Sequence, residues 1–347
     1  MKKYAFFLPQ FHEIKENDEW WGKGFTEWVN VKNAKPLFRG HHQPKKPINC
    51  NYYNLLNKET MQHQTELLKK YNVDGLIYYH YYFNGKKLLE KPAENLLKWK
   101  DINQSFFFCW ANHSWIRSWN GEKTILIEQT YGNIKDWEKH FEYLLPFFKD
   151  KRYVKKNNRP LMMIFDSRFV ERKAMFNYFD KKCKESGFDG IMLINSCNYI
   201  NDYNSIKDES VEFKSYIFFR EPTFSYFAYR NFFIKAKEKI LKVLKIPYLR
   251  VYKGDKLLNS GMKKFVSGEN IIHGLCFEWD NTPRHKKRGY IITPISKEIF
   301  NKYMNKIKNE EFLFINAWNE WCEGMILEGT NEDGYKYLEW LKECKIK

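Results

Sequence analysis

Short runs of buried-type residues alternate along the chain with longer stretches in which apolar positions recur every three or four residues. The runs fall at 4–8, 75–79, 106–110, 161–165, 190–194, 215–218, 271–277 and 312–318. Each is mostly Val, Ile, Leu, Met or aromatic, as strands covered on both faces require. Helical periodicity fills 58–71, 90–99, 134–148, 171–186, 224–244, 297–307 and 333–344. Glycine-containing junctions such as Val73-Asp74-Gly75 and Gly187-Phe188-Asp189-Gly190 stand where a helix hands over to a strand. Strand–helix repeats of this kind predict a single α/β domain over 1–347, a (β/α)8 TIM barrel. The sixth strand and the helix after the fifth carry the faintest patterns. An open doubly wound sheet would want a Gly-rich first turn, but Leu8 is followed by Pro9, Gln10, Phe11 and His12. Residues 13–54 fit neither period and are expected to form a long insertion after strand one, lying over the C-terminal face.

Composition narrows the class. Aromatic residues make up 18% of the chain, which excludes a disordered polymer. Basic residues outnumber acidic ones, 59 to 42, for a net charge of +17. Such a surplus attracts polyanions or an anionic membrane face. The seven cysteines contain no CxxC pair, so no zinc ribbon is expected, and scattered thiols suit a reducing compartment. The apolar run after Lys2 and Lys3 is too short for a secretion signal, and no run of eighteen apolar residues occurs. A cytoplasmic location is the expectation.

In a barrel the residues just past each strand converge on one mouth. Here they include Gln10 and His12; His80 and Tyr82; Asn112, His113, Trp115 and Trp119; Asp166; Asn195; Arg220 and Glu221; Glu278, Trp279 and Asp280; and Trp318, Asn319, Glu320 and Glu323. The mixture is polar, carboxylate-rich and framed by rings. Sugars ask for that: their C–H faces stack on indoles and phenols, and their hydroxyls need fixed donors and acceptors. Trp28, Tyr82, Trp110 and Trp279 are expected as sugar-binding walls. Glu320 and Glu323, three residues apart beyond the last strand, suit glycosidic bond chemistry, which uses one carboxyl as proton donor and another as base or nucleophile.

Six segments carry a family resemblance: FLPQFH at 7–12, DEWWGKGFTEW at 18–28, YHYYFNG at 79–85, CWAN at 109–112, EWDNTPR at 278–284 and AWNEWCEG at 317–324. Together they resemble the WbsX family of bacterial polysaccharide-cluster proteins, which is similar to glycoside hydrolase family 99. The resemblance implies a (β/α)8 barrel and retaining chemistry on α-mannoside-like linkages, without metal or other cofactor. It implies that Glu320 is the base on the sugar 2-hydroxyl, forming a 1,2-anhydro sugar, and that Glu323 is the acid/base. Two positions depart from the family pattern: His113 replaces a usual Glu, and Gly329 stands where Pro is common.

The leading expectation is therefore a glycan-active enzyme of surface-polysaccharide metabolism, acting on an oligosaccharide or polysaccharide that is free or lipid-linked. A glycosyltransferase using a nucleotide- or lipid-linked donor is the rival, and a catalytically inactive carbohydrate-binding barrel is the rival of another class. Dispersed basic residues and a carboxylate-rich mouth argue against a nucleic-acid binder. Within 229–253, Lys235, Lys239 and Lys242 share one helical face opposite Phe233, Ala236, Ile240 and Leu244. That stretch is either a solvated outer helix or a contact with an anionic membrane.

Overall fold

The computed structural model describes residues 1–117, 124–208, 213, 215–244 and 246–344, without the side chains of Asp208 and Lys242. Trp119 thus lies outside the described residues. The barrel strands are β1 (Lys2–Phe7), β2 (Gly75–Phe83), β3 (Phe106–Trp110), β4 (Arg159–Ile164), β5 (Met192–Cys197), β6 (Tyr216–Phe219), β7 (Ile271–Cys276) and β8 (Phe312–Asn316). All pair in parallel with their sequence neighbours, and β1 pairs with both β2 and β8, which closes the sheet. Closure removes the open-sheet alternative. Helices α1 (Lys58–Lys70), α2 (Lys91–Lys98), α3 (Ile134–Lys149), α4 (Arg172–Glu185), α5 (Asp202–Asp208), α6 (Gly254–Met262), α7 (Lys297–Lys306) and α8 (Lys336–Glu343) follow the strands in turn.

Aromatic rings fill the barrel. Phe107 packs on Tyr4 and Phe314, with centroids 5.4 and 5.6 Å away, and Phe218 bridges Phe314 to Phe6 at 5.2 and 5.7 Å. Phe6 then stacks on Tyr79 at 5.5 Å, and these two rings begin the floor of the mouth. The barrel is a packed core with one open end.

Two helices differ from the periodicity. The expected helix over 224–244 is broken into Thr223–Tyr229 and Phe232–Val243. Asn231 causes the break, because its Oδ1 accepts from the Ile234 amide at 3.0 Å and caps the second helix. Helix α6 was not legible, since Gly254 and Gly261 weaken its helical signal. Gly261 is needed for close packing: a β-carbon there would stand 2.0 Å from Ser225 Oγ.

The insertion holds two short helices, Lys15–Trp21 and Glu27–Asn33. Polar ties fasten it to the loop after β7. His41 and Gln43 contact Asp280 Oδ2 at 2.8 and 2.7 Å, and Lys45 Nζ meets Glu278 Oε2 at 2.5 Å. Among the described residues, no helix is long and apolar enough to cross a membrane.

Candidate active site

A cavity of about 650 Å³ opens at the C-terminal end of the barrel, and both Glu320 and Glu323 line it. Local structure explains the pairing. Asn319–Glu320 forms a two-residue ladder with Met325–Ile326, and a tight 3-10 turn, Trp321–Glu323, joins them. Gly324 ends the turn at φ +64°, and a β-carbon there would press to 3.1 Å from the Asp280 amide nitrogen. Trp321 anchors the hairpin from below, donating to Glu328 at 2.6 Å and packing on Trp28 at 5.3 Å.

The two carboxyls have different surroundings. Glu320 is 6% exposed. Burial, and after it the Glu323 charge, raise its carboxyl to about 7, against the pull of Arg220, Arg284 and a Tyr79 hydrogen bond. Glu323 is more open and fully engaged: Trp279 Nε1 donates to Oε2 at 2.9 Å and Arg284 Nη1 to Oε1 at 2.8 Å. The other arm of Arg284 pairs with Glu27 Oε1 at 2.9 Å. Burial disfavours the Arg284 charge, but Glu27 and Glu323 hold its pKa well above the ordinary value. Across the cavity Arg220 lies 3.7 Å over the Phe165 ring and donates to the Tyr79 hydroxyl at 2.8 Å.

Two further polar groups face the same space. Asn316, at the end of β8, is 2% exposed, and neither its amide nitrogen nor its oxygen has a protein partner. A buried carboxamide with both ends open is costly unless something else completes it. Glu221 accepts from Ser225 Oγ at 2.6 Å, and burial pushes its carboxyl up to about 8.

Of the side chains expected at the mouth, Gln10, His113, Trp115, Arg220, Glu221, Trp279, Glu320 and Glu323 line this cavity. His113 lies against Phe165, with ring centroids 4.9 Å apart. The others have different surroundings. His80 and Tyr82 point outward from β2 onto α3, where His80 Nε2 meets His140 at 2.9 Å and Tyr82 stacks on the same ring at 3.8 Å. Trp110 packs in that cluster too and donates to the Tyr82 carbonyl. Trp28 is buried among Phe11, Tyr52, Tyr53 and Trp321, its indole nitrogen on the Tyr53 carbonyl.

The expected amides act as clamps. Asn112 exchanges two hydrogen bonds with the Asp166 backbone, and Asn319 does the same with Leu8, tying adjacent strand ends together. Asp166 is held by Arg168 through both oxygens at 2.9 Å. Glu278 and Asp280 bind the insertion. His12 and Trp318 are buried off the cavity, and burial lowers the His12 imidazole to about 4. Tyr79, Tyr81 and Asn316 are cavity residues that the sequence did not single out. Among the described residues, no group of three His, Cys, Asp or Glu side chains is placed to hold a metal ion.

The chain is a closed (β/α)8 barrel with paired carboxyls, arginines and rings gathered at its C-terminal mouth. The family model for glycosyltransferase WbsX matches residues 3–341, and the chain belongs to that family. It is 29% identical over 356 residues to the uncharacterized protein WxcX of Xanthomonas campestris pv. campestris strain B100, covering 98% of this chain and 49% of that protein. The same protein from strain ATCC 33913 is likewise 29% identical, with 98% and 49% covered. The chain thus spans about half the length of the curated relatives it matches. Among solved structures it is similar to a glycoside hydrolase-like protein, with TM-score 0.63, 12% identity and 100% and 94% of the two chains covered. It is also similar to the GH99 endo-alpha-mannosidase of Bacteroides thetaiotaomicron, with TM-score 0.55, 12% identity, and 98% and 95% covered. These likenesses concern the fold.

Proposed function

We propose that the chain cleaves or transfers α-mannoside-like linkages with retention, on a surface-polysaccharide glycan that is free or lipid-linked, at the cytoplasmic face of the membrane. The observation that carries this reading is the pair Glu320 and Glu323 on one hairpin in a single cavity. In the proposed sequence Glu320 takes the proton of the sugar 2-hydroxyl, and that oxygen attacks the anomeric carbon. The glycosidic bond breaks as Glu323 gives its proton to the departing oxygen. Water, or an acceptor hydroxyl, then opens the 1,2-anhydro ring, returning a proton to Glu323 while O2 regains one from Glu320. A carboxyl raised to about 7 is a stronger base than an ordinary glutamate, which suits the Glu320 role. Asn316, with both amide ends open, is placed to read hydroxyls near the reacting centre.

One observation favours a second reading in which the roles are exchanged. Arg284 and Trp279 hold both oxygens of Glu323, whereas Glu320 is the carboxyl that burial raises to about 7. Rates with poor and activated aryl leaving groups separate the two. Loss of the proton donor should cost about 10²–10⁴ with a poor leaving group and far less with an activated one. The proposal expects that pattern for Glu323→Gln and an equal loss on both substrates for Glu320→Gln. The reverse pattern exchanges the roles, and no loss for either variant rejects the site.

A further inference from the structure

The helix Phe232–Val243 and the turn after it carry an exposed apolar stripe. Phe232 and Phe233 are 77% and 78% exposed; Ile240, Val243, Leu244 and Ile246 are 58%, 73%, 59% and 49% exposed. Their positions make the exposure systematic. On a wheel of about 100° per residue, Phe232, Phe233, Ile240, Val243 and Leu244 fall within one arc of about 120°. Half-buried Ile234, Glu238 and Leu241 occupy the opposite arc and attach the helix to the protein. Exposed Lys235 and Lys239 flank the apolar arc on one side and exposed Lys237 on the other. An ordinary outer helix of a barrel has the reverse arrangement, with its apolar side inward.

The attachment is firm and leads to the cavity. Glu238, the one acidic residue of this helix, accepts from the hydroxyls of Tyr226 and Tyr252 at 2.8 and 3.2 Å and pairs with Arg230. Tyr252 ends a short strand, Arg250–Tyr252, that pairs with Tyr290–Ile292, which pairs in turn with Trp279–Asp280. Tyr290 stacks on Trp279 at 5.5 Å, and Trp279 holds Glu323. An open groove beginning at Tyr229 adds Lys256, Lys263 and Lys302.

We propose that this helix lies in the headgroup region of an anionic lipid bilayer, with its apolar arc inserted and its lysines on lipid phosphates, so that the cavity rim faces membrane-borne glycan. The last clause rests on the glycan reading above; the docking itself does not. Charge complementarity selects the occupant: an apolar stripe flanked by Lys235 and Lys239 on one side and Lys237 on the other, on a chain of net charge +17, matches an anionic interface.

Vesicle co-sedimentation tests it without turnover. The native chain should bind vesicles of equimolar phosphatidylcholine and phosphatidylglycerol, and bind pure phosphatidylcholine about tenfold more weakly or worse. The double substitution F232S/F233S should lower binding about tenfold or more, and K235A and K239A about fivefold each, with unchanged thermal midpoints because these side chains are exposed. Absent vesicle binding, or native binding by F232S/F233S, would overturn the proposal. So would a dimer in sedimentation velocity that F232S/F233S dissolves in a chain that ignores vesicles, since the stripe would then seat a second copy. Failure here with a soluble glycan still turned over would leave the glycan reading intact.

Discussion

Glu320 has two arginines in its field and yet titrates near neutrality, because burial and the Glu323 charge outweigh them. That balance makes its protonation state a readout of its role. If it accepts the 2-hydroxyl proton, it must be ionised in the free enzyme, so kcat/KM should rise with pH through about 7. In Glu320→Gln this limb should vanish along with most of the rate. A native profile that instead falls through this range would make Glu320 the donor.

At the scale of elements, strand parity decides which aromatic residues meet a substrate. In β2 the residues from Tyr78 to Phe83 are all aromatic or His, and all are buried. No polar–apolar alternation marks which side faces the barrel axis, so the sequence shows a strand but not its inward set. The structure turns Tyr79 and Tyr81 to the cavity and His80 and Tyr82 to α3. The strand order, the insertion and the Glu320–Glu323 pair were legible because each is written in a contiguous run. The strand-end amides were not, since an Asn that clamps two backbones looks in sequence like one that binds a sugar. Trp28 illustrates the same ambiguity. Surrounded by four rings, its replacement by Ala should cost about 3–5 kcal/mol of stability. Denaturant unfolding alongside glycan titration checks this: the loss in stability should exceed the loss in affinity, and the opposite ranking would place Trp28 at the substrate.

For the molecule as a whole, buried acids at the mouth and beneath its last hairpin stand in a chain with a large basic surplus. Glu221 is raised to about 8, and Glu320 and Glu328 to about 7, chiefly by burial. In the unfolded chain these groups lose their protons near 4.5, while the folded chain keeps them. These three carboxyls therefore hold more protons in the folded state between those values, and their own contribution to stability falls as pH rises from about 4.5 to about 8. Glu221→Gln resembles the protonated acid and should escape its share of that decline. Thermal midpoints measured across this range should show the variant gaining on the native chain up to about pH 8 and holding the gain above it; parallel curves would mean that Glu221 is ionised in the folded state. The central claim, retaining chemistry by two carboxyls at the barrel mouth, meets its most direct test in proton NMR of the first product released from an α-mannoside-containing oligosaccharide. The α-anomer should appear first and then mutarotate; first appearance of the β-anomer would contradict the claim.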